Sequence, residues 1–175
     1  MSRIRTIVEP NPDGHLIEYT DFEPAAALLE RMLRELYAQH WRVLVFGYCI
    51  QGSVLELQPT QVPRVSMLDG YLTADLGCGH MHLCIGEHHG SAARPTPPDI
   101  AAWRRVGRAA FFRALNRERA PVSWGLRLWN GRDEQMVTVY FPNPWLDDDA
   151  ERVRSPRWER TALWEDLRRR YAAVR

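Results

Sequence analysis

Thr96-Pro97-Pro98-Asp99-Ile100-Ala101-Ala102-Trp103-Arg104-Arg105-Val106-Gly107-Arg108-Ala109-Ala110-Phe111-Phe112-Arg113-Ala114-Leu115-Asn116 is the stretch on which the fold turns. Thr96 offers a helix cap, Pro97 and Pro98 stand where a missing N–H costs little, and Asp99 suits the positive end of a helix dipole. Ile100, Trp103, Val106, Gly107, Ala110, Phe111 and Leu115 recur at helical spacing, while the arginines at 104, 105, 108 and 113 lie mostly off that stripe. The spacing predicts one helix running to about Asn116.

Working outward, Thr20-Asp21-Phe22-Glu23 reads as a capping box before a helix to about Gln39, with Leu28, Leu29, Met32, Leu33, Leu36 and Tyr37 on one face. A last helix runs from Arg157 to about Ala173, with Leu163, Leu167, Tyr171 and Val174 inward. Short strands are expected at Ile4–Val8 and His15–Tyr19, around Pro10-Asn11-Pro12-Asp13-Gly14, and a buried central strand at Trp41–Tyr48. Gln51-Gly52 turns the chain into another strand, Ser53–Gln58, and Val65–Ala74 includes a further one. Asn130-Gly131 between Val122–Trp129 and Glu134–Phe141 is a strong hairpin signal. In its first arm Val122, Trp124, Leu126 and Leu128 share one face and Ser123, Gly125, Arg127 and Trp129 the other. The expected fold is therefore α+β: a mainly antiparallel sheet with about three helices packed on one side, in a single domain spanning residues 1–175.

Composition narrows the function. The 23 basic residues are all arginine, which excludes lysine Schiff-base chemistry, and they balance 22 acidic residues to a net charge of +1. That balance speaks against nucleic acid as a partner. No apolar signal core or membrane-length run is present, so no membrane partner is expected and a cytoplasmic location is. Three cysteines do not make a disulfide scaffold; Cys49 reads as a small buried residue, Cys78 and Cys84 as thiols or ligands.

The chemistry is concentrated in Asp75-Leu76-Gly77-Cys78-Gly79-His80-Met81-His82-Leu83-Cys84-Ile85-Gly86-Glu87-His88-His89-Gly90, which holds four of the six histidines. As a strand it projects Cys78, His80, His82 and Cys84 to one side and Met81, Leu83 and Ile85 to the other. The first set is a row of transition-metal ligands. A metal-free reading has the same histidines hydrogen-bonded to the hairpin. Paired Cys-x-x-Cys units and His-Glu-x-x-His are absent. His80-x-His82 followed by Glu87 resembles in part the first cupin motif, but Ala74 stands where that motif has glycine, and no second motif follows; the likeness is one of ligand geometry.

Three ligand sets are open. His80 and His82 with Glu87 would form the facial triad of non-haem iron; with His88, a zinc or copper site; with Cys84, a copper-like set. Glu87, if not a ligand, could serve as a general base, and Arg127 could bind a substrate carboxylate bidentately. The expectation is a metal-dependent enzyme with one iron, copper or zinc ion acting on a small polar molecule, redox chemistry ahead of zinc hydrolysis or a lyase step. The alternative is a metal- or haem-binding carrier or sensor without turnover. Oligomeric state is left open.

Overall fold

A computed structural model describes residues 6–11, 14–50 and 52–172. Ile4, Arg5, Pro12, Asp13, Gln51, Ala173 and Val174, invoked above, lie outside the described residues, as does the side chain of Cys49. The elements in order are β1 (Thr6–Pro10), β2 (Leu16–Phe22), α1 (Ala26–Glu35), β3 (Val45–Ile50), β4 (Ser53–Leu57), β5 (Arg64–Leu68), β6 (Tyr71–Asp75) and β7 (His80–Cys84). Then come β8 (Gly90–Ser91), β9 (Arg94–Pro95), α2 (Pro98–Arg104), β10 (Val106–Leu115), β11 (Pro121–Asn130), β12 (Gln135–Tyr140) and α3 (Ala162–Tyr171).

The structure overturns the expectation of an α+β fold with three helices on one side of a sheet. It is mostly antiparallel β, 42% strand against 24% helix. A seven-stranded sheet runs β1-β2-β10-β11-β12-β3-β4, beside a three-stranded sheet β5-β6-β7 and the short pair β8-β9. The decisive difference is at the opening stretch. Its helix stops at Arg104, Arg105 is already extended, and Val106–Leu115 is a central strand between β2 and β11.

The physical reason is burial on both faces. Ala109 and Phe111 enter the main core, while Ala110 and Phe112 enter a second cluster on the other side of the sheet. A strand with two apolar faces loses its period-two signature, and the alanines and arginines that fill it are good helix formers locally. The sheet's two apolar layers override that local preference. The capping box at Thr20 is likewise corrected: Thr20–Phe22 belongs to β2, and α1 starts at Ala26 after an Ala25 N-cap without a side-chain cap. The strand expected from Trp41 begins at Val45, because α1 continues as a π turn over Leu36–His40 and a 3₁₀ turn over Trp41–Val43.

The hairpin faces do alternate as the sequence suggests. Trp124, Leu126 and Leu128 join the main core with Leu28, Leu29, Met32 and Leu33 of α1, Leu72 and Ala74 of β6, Leu83 of β7, and Trp164 and Leu167 of α3. On the other face no helix is needed. Ile17, Tyr19, Ala110, Phe112 and Trp129 form a thin apolar layer roofed by arginine. The Arg108 guanidinium lies 5.0 Å from the Tyr19 ring and 4.5 Å from the Trp129 ring, and pairs with Asp21 at 3.0 Å and Glu9 at 3.2 Å. Such stacked, paired guanidiniums shield aromatic surface while keeping their charge hydrated. Gly125 is required here: a Cβ on it would stand 2.2 Å from the Phe112 ring, which crosses directly over it.

Tyr37 is wholly buried and stacked on Phe46 at a centroid distance of 4.8 Å, yet its hydroxyl has no hydrogen-bond partner among the described residues. An unpaired buried hydroxyl costs free energy. Tyr37→Phe is therefore expected to leave stability unchanged or raise it by about 1 kcal/mol, measured by urea unfolding.

No helix among the described residues is long and apolar enough to cross a membrane.

Candidate functional site

The site grows from the turn between β5 and β6. Leu68 pairs with Tyr71, leaving Asp69-Gly70 as a two-residue turn with φ of 46° and 79°. Positive φ at both positions is the type I′ geometry that matches strand twist, and Asp-Gly is among the dipeptides that suit it. Gly70 is held to glycine twice over, by its φ and because a Cβ would lie 2.3 Å from the Glu87 carbonyl oxygen. The turn therefore sits directly against the loop that follows β7. The Gly70 carbonyl accepts the N–H groups of Ile85 at 3.0 Å and Gly86 at 2.9 Å.

Asp69 completes this clamp and does more. Its two carboxylate oxygens accept the N–H groups of His89 and Gly90, each at 2.8 Å. The His89 N–H first, and then that of Gly90, holds its carboxyl below the usual carboxylate range, so it is ionised at neutral pH. The same carboxylate stands 2.8 Å from His88 Nδ1. An acceptor there places the imidazole proton on Nδ1 and turns the lone pair of Nε2 outward. At Nε2 stand the Thr96 hydroxyl, 2.9 Å away, and Arg104 Nη1, 3.2 Å away. Carboxylate, imidazole and hydroxyl thus form one unbroken line, brought together from a hairpin turn, a loop and the link between β9 and α2.

The imidazole is fixed from the sides as well. Its side chain is only 13% exposed, and the Tyr71 ring meets it edge-on at 5.0 Å. Burial pushes the Tyr71 phenol up, and its partners are the Cys84 thiol and Arg104. Burial also pushes the Cys84 thiol up, which keeps it protonated and a poor nucleophile. Beside Thr96 and His88 opens a cavity of about 290 Å³, walled by Pro98, Ala101 and Ala102, with Glu87 and Arg105 at its edge. A second depression of about 410 Å³ continues past Gly86, Glu87 and Arg105 toward Ala25 and Ala26.

The residues marked in the sequence fall in three places. His88 and Glu87 lie at this cavity, His88 enclosed and Glu87 with its side chain 76% exposed, 3.6 Å from His89. Cys84 is buried below it, its Sγ 3.7 Å from the Gly86 carbonyl. His80 and His82 stand exposed along β7. Arg127 lies on the outer face of the large sheet, donating to the Tyr19 hydroxyl at 2.9 Å and the Thr138 hydroxyl at 3.1 Å, with Phe112 at 4.7 Å. The main core separates it from the small sheet, so it does not join the histidines. Among the described residues no three histidine, cysteine, aspartate or glutamate side chains converge as a metal cage. Both His88 nitrogens have hydrogen-bond partners in this arrangement.

Residues 6–173, from the first strand through the last helix, match the model of DUF7676, a family of unknown function. The chain belongs to this family. No curated protein matches it. In this DUF7676 member the groups around His88 that the sequence does not single out as site candidates are Asp69, Thr96, Arg104 and Tyr71. Asp69-Gly70 between the alternating residues of β5 and β6 was itself a hairpin signal of the Asn-Gly kind. The sequence suggests Thr96 as the cap of α2, but the N-cap is Pro97 and no side chain caps it.

Proposed function

We propose that this protein is a hydrolase of small esters in which Thr96 is the nucleophile, His88 the base and Asp69 the group that orients and steadies the imidazole. The observation that carries the reading is the line Asp69 Oδ2–His88 Nδ1 at 2.8 Å and His88 Nε2–Thr96 Oγ1 at 2.9 Å, at the wall of a cavity sized for a small molecule. As Oγ1 bonds to the acyl carbon, its proton passes to Nε2. The imidazolium, steadied by the Asp69 carboxylate, returns that proton to the departing alkoxide. Water then repeats the sequence in reverse, Nε2 taking its proton as the hydroxyl adds, and Thr96 leaves with the proton as the acid is released. Arg104 stands at the same Nε2 as Thr96, which puts a cation beside the acyl site, where negative charge develops on the substrate's carbonyl oxygen. Arg105, at the cavity edge, favours a substrate that carries negative charge.

An alkyl fluorophosphonate, followed by peptide mass spectrometry, tests the assignment. The expected result is an adduct on Thr96 in the native protein and none in His88→Ala. A native protein that remains unlabelled, or that carries the adduct on another residue, would overturn it.

A further inference from the structure

The outward face of β7 has a separate chemistry. His80 and His82 are both exposed there, their rings 5.0 Å apart and inclined at 71°. They stand two residues apart on the last strand of the three-stranded sheet, with β6 on one side only. Strand alternation puts both on the same face, and the partners across the ladder are matched to them. Thr73 faces His82 and Asp75 faces His80 in register. The Thr73 hydroxyl engages His82 Nδ1 at 2.7 Å, which fixes the ring and leaves Nε2 outward. The Asp75 carboxylate is itself anchored, by Arg64 Nη2 at 2.6 Å and the Gly77 N–H at 3.0 Å, and holds a negative charge beside His80. A ring steadied through one nitrogen by a hydroxyl, and a pinned carboxylate behind its neighbour, are the outer-shell supports that metal-binding histidines ordinarily have.

The two imidazoles also border an apolar cleft of about 240 Å³ between β7 and the β3–β4 hairpin, whose lining includes Phe46, Tyr48, Leu55, Met81 and Met136. We infer that His80 and His82 chelate a copper ion at the mouth of this cleft, leaving its other positions open to water or to the polar head of a small ligand whose apolar part fills the cleft. Two imidazoles suit a borderline ion rather than calcium or magnesium, and copper(II) ranks highest among the divalent first-row metals. This site is distinct from the Asp69–His88–Thr96 line and stands whether or not that line hydrolyses esters.

The test is titration of the metal-free protein with copper(II), followed by calorimetry and electron paramagnetic resonance, with far-UV circular dichroism as the check that each variant is folded. The native protein is expected to bind one equivalent per chain, with a spectrum showing two imidazole nitrogens. His80→Ala and His82→Ala should each lose that equivalent. Thr73→Val, which removes only the support, should weaken binding by about 10–100-fold. His15→Ala and His88→Ala should bind as the native chain does. A native protein that takes up no copper, or folded His80→Ala and His82→Ala variants that bind it equally well, would overturn the inference, as would loss of binding in His88→Ala.

Discussion

Replacing His88 with alanine is expected to lower kcat/KM for ester hydrolysis by about 10²–10⁴-fold, the usual contribution of a positioned acid–base group. That is roughly 3–5 kcal/mol of transition-state stabilisation. The loss should appear chiefly in kcat, because the imidazole takes a proton only as the bond to the acyl carbon forms. Thr96→Ala should lose a comparable amount. The informative variant is the double one. Residues that act as a single relay are strongly non-additive, so His88→Ala/Thr96→Ala should be little worse than either single change. If the two losses multiply, the residues act independently and the relay is refuted. His89→Ala is the control in the same loop: its side chain is 75% exposed and lies outside the line, so activity should be retained.

Trp164→Ala is expected to produce the largest loss of stability, about 3–5 kcal/mol. Trp164 is fully buried in the main core, and its ring meets Phe111 edge-on at 6.2 Å. Its indole N–H donates to the Gly125 carbonyl at 2.9 Å. Truncation therefore opens a cavity against the central strand and also removes a buried hydrogen bond. The melting temperature should fall by roughly 6–20 °C for a chain of this size, read by calorimetry. Trp164→Phe, which keeps most of the volume and loses only the donor, should cost clearly less. Equal losses in the two variants would place the effect in the hydrogen bond rather than in packing.

How far the sequence could be read depended on whether an element buries one face or two. α1 was legible because Leu28, Leu29, Met32, Leu33, Leu36 and Tyr37 recur at helical spacing and all of them are buried. The β11–β12 hairpin was legible through Asn130-Gly131 and through its alternating faces. β10 was not. With apolar residues on both sides, its pattern carried no period of two, and a helical stripe could be drawn through it. The site was half legible for a related reason. The histidine cluster announced itself by composition, but a linear count cannot show that β7 leaves His80 and His82 outside while the next loop turns His88 inward. That turn is made by Asp69 and Gly70, and nothing in the spacing from Asp69 to His88 foretells their meeting. It depends on a hairpin tip reaching the end of a strand from the same small sheet.

The order of strands in the large sheet governs how the chain reaches this structure. β2 pairs with β10, so that Tyr19 lies beside Phe112 and Glu18 beside Arg113, a bond spanning 95 residues of sequence. Closing so long a loop costs chain entropy before any of the apolar layer is gained, and contacts between distant segments slow folding. During synthesis the β1–β2 hairpin emerges long before its partner, with the edge bearing Ile17 and Tyr19 uncovered until Val106–Leu115 has left the ribosome. The small sheet, whose strands follow one another directly, needs only local pairings and is expected to form ahead of the large one. Asp69, Gly70 and the 85–90 loop can therefore assemble early, whereas the large sheet waits for β10.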